Sequence, residues 1–180
     1  MFKRIFGSLW KRGGWWRAAL LIVPVVICAG GYSMVHGSAT GGTVGATSGG
    51  YTYDQPKGWD HRSPCEGRRI STSGLVDDGC TKPDMGADAG VYLASQAIAA
   101  GRTAAELAEE LARTVTGYQP CRNGGGEGAC LRETANPEHK GVLRVRTFKT
   151  LAVVVVCLRT DRLDITRGCD LVFNHVTVAS

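Results

Sequence analysis

The stretch DAGVYLASQAIAAG, Asp88 to Gly101, runs directly into RTAAELAEELARTVTG, Arg102 to Gly117, and the reading of this pair decides the fold. In the second half Leu107, Leu111 and Val115 recur every four residues, and Ala108 and Ala112 widen the stripe, so one helical face is apolar. Thr103 followed by Glu106 is a capping box, in which the Thr oxygen takes an orphan amide of the first turn and the Glu side chain reaches back. Gly101 would close a first helix and Gly117 the second, since glycine adopts the left-handed conformation that ends helices. The expectation is a helical hairpin at the centre of the chain.

On the C-terminal side the period changes. VLRVRTFKT, Val142 to Thr150, alternates apolar and polar residues as a strand with one wet face does. LAVVVVCL, Leu151 to Leu158, is a continuous run rich in β-branched residues that suits a strand covered on both sides. RTDR marks a turn, and LDIT and CDLVFNHVTV read as further strand material, which completes an antiparallel β-meander. On the N-terminal side, residues 53–87 hold Pro56, Pro64 and Pro83 with few regular apolar repeats, and are expected as loops with one short strand from Arg69 to Val76. The fold class that follows is α+β, with loops first, a helical hairpin in the middle and a meander last.

Further back, Ala18 to Val35 (AALLIVPVVICAGGYSMV) carries no charge over 18 residues. That is close to the roughly 17–25 residues that a helix needs to cross about 30 Å of hydrocarbon. Trp15 and Trp16 at the charged border and Tyr32 near the far end suit the headgroup level. Residues 18–35 are therefore expected as a single-pass anchor, with the basic residues 1–17 on the cytoplasmic side and the rest outside an inner or cytoplasmic membrane. A cleaved signal peptide is the competing reading, because Gly37 and Ala39 offer small residues for processing, and it would leave a periplasmic or secreted protein. A lipid-modified Cys28 is a third, with no small residue just before it to support it. Both leading readings export the body. Residues 36–52, mostly Gly, Ser, Thr and Ala, read as a flexible linker, with a coil reach on the order of 20 Å for Gly37 to Gly50. Residues 53–180 then form the exported domain.

The chain's formal charge of +5 comes from that organisation. Lys3, Arg4, Lys11, Arg12 and Arg17 account for all of it, and the remainder of the chain is balanced. A nucleic-acid partner is thereby excluded from the reading. The helix pair superficially resembles a helix-turn-helix, but Glu106, Glu109 and Glu110 would repel phosphate.

Beyond the apolar segment lie six cysteines, and an even number in an exported body argues for disulfides. Neighbours in sequence, Cys65 with Cys80, Cys121 with Cys130 and Cys157 with Cys169, each enclose a turn-rich segment. The last pair is expected to staple the final hairpin. Zinc is disfavoured, because no CxxC pair exists and the four histidines are scattered. No metal and no cofactor is expected. GGGEG, Gly124 to Gly128, lacks the Lys-Ser/Thr of a phosphate loop and reads as the tip of a disulfide loop.

Two constellations remain. Asp60 and His61 stand near Cys65, and Asp77 precedes Cys80, so the first bridge could draw them into an acid–base site. Against that stands the ordinary use of Asp in turns and a solvated His61. Arg144, Arg146 and Lys149 form a stripe that could meet an anionic partner, against the ordinary reading of a solvated strand face. The balance points to a non-enzymatic, disulfide-stapled envelope protein that binds another envelope or secreted protein as an accessory or immunity-type factor. A tethered hydrolase using Asp60, His61 and Asp77 is one alternative. A structural subunit of a membrane-spanning assembly, packing through Cys28 and the small residues after it, is another.

Overall fold

A computed structural model describes residues 39–48, 50–65, 74–83, 89–121, 128–160 and 165–178. The expected anchor at 18–35, with Trp15, Trp16, Cys28 and Tyr32, lies outside them, as do Arg69 and most of GGGEG. The described strands are β1 (Thr40–Gly45), β2 (Tyr51–Pro56), β3 (Asp60–Arg62), β4 (Val76–Lys82), β5 (Gly90–Ala97), β6 (Tyr118–Pro120), β7 (Ala129–Glu133), β8 (Lys140–Thr147), β9 (Leu151–Arg159) and β10 (Thr177–Val178). Two short helices interrupt them, α1 (Ala104–Ala112) after β5 and α2 (Thr166–Asn174) after β9. No helix among the described residues is long and apolar enough to cross a membrane.

The strand β9 organises the rest. Its valines alternate between two cores: Val154 and Val156 join Tyr92, Leu143 and Leu131 on one face, while Val153 and Val155 join Val91, Leu93 and Phe173 on the other. Such a strand must have cover on both sides, because every residue from Leu151 to Leu158 is apolar. The cover comes from β5 and β8 as antiparallel neighbours, within a seven-stranded sheet of order β3-β4-β5-β9-β8-β7-β6. On the first face α1 packs on β8, β7 and β6; on the second, α2 packs on β2, β5 and β9. A small sheet of order β1-β2-β10 supplies Tyr51 and Tyr53 to the same second core.

This architecture is mostly β-sheet with two short helices, and it corrects the expected helical hairpin followed by a meander. The first expected helix is the strand β5. VYLASQA pairs residue for residue with β9, and burial on both faces outweighs the weak strand preference of its alanines. The second correction is CDLVFNHVTV, expected as strand, of which residues up to Asn174 lie in α2. Cys169, Val172 and Phe173, all buried, recur at the helical spacing of three and four, a period masked by the strand-favouring character of Val and Phe. The stretch expected as a linker contains β1, which pairs with β2 from Thr40↔Pro56 to Gly45↔Thr52.

The helix α1 itself forms for the reasons its sequence states. Thr103 Oγ1 accepts from the Glu106 amide at 3.3 Å, and the Glu106 carboxylate accepts from the Thr103 amide at 3.1 Å. Leu107, Leu111 and Val115 are buried in the first core. Three disulfides close the body: Cys65–Cys80, Cys121–Cys130 and Cys157–Cys169. The last joins β9 to α2 and so fastens a helix to the sheet, where a hairpin staple had been expected.

Candidate functional site

Two places concentrate chemistry among the described residues: a buried polar corner at β4 and an open groove beside α1. The corner begins with a bulge. The register of β4 on β5 slips between Asp77 and Gly79, so Asp78 is an extra residue with no ladder partner. A bulge re-aims side chains, and here it turns the Asp78 carboxylate inward, fully buried. Gly79 permits this with φ +103, and a Cβ at that position would stand 2.3 Å from the Arg62 carbonyl oxygen.

The buried carboxylate is held from the turn between β1 and β2. The Ser48 amide donates to Asp78 Oδ1 at 2.8 Å, and Ser95 Oγ donates to Ser48 Oγ at 3.3 Å. Thr47 Oγ1 shares a hydrogen bond with Ser63 Oγ at 2.6 Å. The hydroxyl of Tyr51 lies beside Asp78 without the geometry of a regular hydrogen bond, and both it and Asp78 Oδ2 are buried. Burial first, and the Asp78 charge second, push the titration of Tyr51 and of Tyr53 above the ordinary phenol range. Tyr53 Oη shares a hydrogen bond with His61 Nδ1 at 2.9 Å, its direction set by the tautomer of the imidazole. Burial holds the His61 ring below the ordinary imidazole range, with a smaller opposing effect from the backbone of Cys80.

The residues named from sequence fall as follows. Asp60 and His61 sit on β3, opposite Lys82 and Thr81, and Asp60 points to solvent. Asp77 Oδ1 accepts the Gly79 amide at 3.0 Å and so shapes the bulge. His61 engages Tyr53, and the buried carboxylate of this corner is Asp78, which the sequence pairs with Asp77 before Cys80 but which the hydrolase set of Asp60, His61 and Asp77 leaves out. Tyr51 and Tyr53 were missed as well. The signal that could have found them is Asp-Asp-Gly inside a strand, a bulge signature, together with two tyrosines at strand spacing.

The basic stripe is divided between two roles. Arg144 Nη1 pairs with Asp170 at 2.6 Å, and its guanidinium lies 5.3 Å from the centre of the Phe173 ring. Arg146 Nη1 donates to the carbonyls of Phe173 at 3.1 Å and Asn174 at 2.9 Å. These two arginines tie β8 to α2, and Arg146 meets the orphan carbonyls and negative dipole at the helix end. Lys149, in the turn after β8, is exposed. Among the described residues no three His, Cys, Asp or Glu side chains come together as a metal site.

The groove has a different character. It encloses about 900 Å³ and is bounded by α1, the disulfide-closed hairpin of β6 and β7, the end of β8 and the end of α2. Ala104, Ala105, Ala108 and Ala112 of α1 give it a wall of small side chains. Its charged groups are Glu109, Arg113 and Arg146.

No protein-family model matches the chain, and no curated protein matches it in sequence. Among solved structures it is similar to the solution structure of cyanobacterial PsbP (CyanoP) from Synechocystis sp. PCC 6803. The TM-score is 0.52 and the identity 17%, over 77% of this chain and 92% of that one. At that identity the likeness is one of fold, and it agrees with the sheet-dominated architecture described above.

Proposed function

We propose that this protein is a non-enzymatic, protein-binding accessory factor whose disulfide-stapled body works outside the cytoplasm, behind an anchor at residues 18–35. The observation that carries the reading is the contrast between engaged and open surface. Of the groups that a hydrolase would deploy, His61 is bonded to Tyr53 and Asp77 to the Gly79 amide, while Asp60 points to solvent; the buried carboxylate beside them, Asp78, is bonded to the Ser48 amide. What remains open is a groove of small side chains and backbone, the kind of surface that recognises polypeptide. Three disulfides support an oxidising compartment, since such bridges persist in exported proteins and are rare in a reducing cytosol. An accessory or immunity-type role is the finer part of the proposal, and the partner is an envelope or secreted protein.

The test is site-specific photo-crosslinking in cells, with the reactive side chain at exposed positions Thr43, Thr147 and Lys149 in turn. A discrete adduct with one other protein is the expected result. Absence of any adduct, together with a hydrolytic activity that His61→Ala abolishes while the melting curve stays in place, would replace the binder with an enzyme.

A further inference from the structure

We propose that the contact between His61 and Tyr53 is an acid-sensitive latch, which holds β3 on β4 near neutral pH and lets β3 open on acidification while the sheet behind it stays closed. The inference stands apart from the protein-binding reading above. The first observation is where the latch sits. β3 pairs with β4 through three rungs, Asp60↔Lys82, His61↔Thr81 and Arg62↔Cys80, whereas eight join β5 to β9. A segment opens locally at a cost set by the contacts it breaks, so β3 opens long before the centre of the sheet. The second observation is how the ring is held. Tyr53 is buried, and its hydroxyl meets His61 Nδ1 at 2.9 Å. A hydrogen bond with the backbone of Cys80 favours the charged ring, as a carbonyl acceptor does. His61 Cε1 also passes close enough to Gly79 that a Cβ there would stand 3.1 Å from it.

A neutral imidazole has one donor and one acceptor nitrogen, so it can satisfy a hydroxyl and a carbonyl together. The imidazolium has two donors. Tyr53 can then only accept from the ring, and its own hydrogen must turn to another acceptor in a place that excludes water. The titratable and charged groups around the ring are Tyr51, Tyr53 and Asp54 of β2, Asp60 and Arg62 of β3, and Asp77, Asp78 and Lys82 of β4. Asp54 accepts from Thr43, Asp77 from the Gly79 amide and Asp78 from the Ser48 amide. Among the described residues no carboxylate forms an ion pair with His61. Burial therefore outweighs the Cys80 carbonyl, and the closed form holds a proton more weakly than ordinary imidazole. Opening β3 hydrates the ring and restores its ordinary affinity. The open form is thus favoured as pH falls through about 6.5, and above that pH the ring is neutral in both forms and favours neither. What the opening uncovers is the backbone edge of β4 from Cys80 to Lys82.

The test is amide hydrogen exchange of the full chain between pH 7.5 and 5, converted to protection factors so that the intrinsic pH dependence of exchange is removed. Protection of the bonded amides in residues 60–62 and 80–82 should fall about threefold or more over that range, while Leu93 of β5 and Val155 of β9 stay unchanged. His61→Gln, whose side chain does not titrate, should abolish the fall. Tyr53→Phe keeps the buried ring and removes the hydroxyl, and should bring protection at pH 7.5 down toward the acid value. Protection that does not change with pH, or that falls equally at Leu93 and Val155, overturns the latch. So does a fall that survives His61→Gln. Should a melting curve show that His61→Gln does not fold, Tyr53→Phe decides alone, and unchanged protection at pH 7.5 in that variant overturns the latch.

Discussion

The two faces of the seven-stranded sheet are covered in different ways. The second face is locked: α2 is bonded to β9 through Cys157–Cys169 and to β8 through Arg144 and Arg146, while Asp78 fastens the β1–β2 turn. The first face is covered by α1, alone among the described helices, capped by its own Thr103 and Glu106, with a groove beside it. The lesson is that polar side chains mark where this fold is fastened, whereas small side chains line the groove on the other face. A search that follows ionisable residues is led to the fastenings.

That contrast can be broken from either side. The largest effect is expected from Leu111→Asp under α1, where a charge replaces a side chain only 3% exposed. A loss of about 4 kcal/mol or more is expected, enough to abolish cooperative unfolding in circular dichroism. An unchanged melting curve would mean that α1 is not part of the core. Next, the paired substitution Cys157→Ala with Cys169→Ala should cost about 3 kcal/mol in denaturant unfolding if loop closure governs it, with the strongest rise in hydrogen exchange in α2. Asp78→Ala leaves the Ser48 amide without its acceptor at the bulge and should cost about 2 kcal/mol, with exchange quickened at residues 46–48. If exchange rises equally over both faces, the two are not separately fastened.

The smallest effect is a dependence on pH. Burial lowers the His61 pKa in the folded chain, so the unfolded chain takes up the proton first as pH falls through about 6.5. Stability from this group is therefore intact above that pH and declines below it, until the folded ring titrates in turn. His61→Gln should flatten the slope of Tm between pH 7 and 5. An unaltered slope would assign the acid limb to other groups.

How much of this was legible in the sequence depended on whether the deciding contacts were local. The helix α1, its cap and its core stripe are set by residues three and four apart, and they could be read directly. So could β9, whose unbroken apolar run admits only a strand covered twice, whereas the pairing of neighbouring cysteines was a preference among 15 connectivities that sequence alone does not separate. Three features were set by distant contacts instead. β5 carries Leu93, Ala94, Gln96 and Ala97, which favour helix locally, but it lies between β4 and β9. In α2 the β-branched residues concealed a helical period. Asp78 and Asp77 are indistinguishable in sequence, and only the slip in register assigns one to the interior and the other to the turn. The groove lies between elements separated by dozens of residues, and no window along the chain contains it.

The small sheet has a mechanical consequence. β1 and β10 lie on opposite sides of β2, so the first and last described strands share one neighbour. A load applied through residue 39 meets β1, an outermost strand with exposed side chains and an irregular register between Thr40 and Gly42. Those rungs can peel from β2 one after another while β10 still holds its other edge. Tension from that end would thus lengthen the molecule by a strand before it reached any residue bound to Asp78, to a disulfide or to the groove.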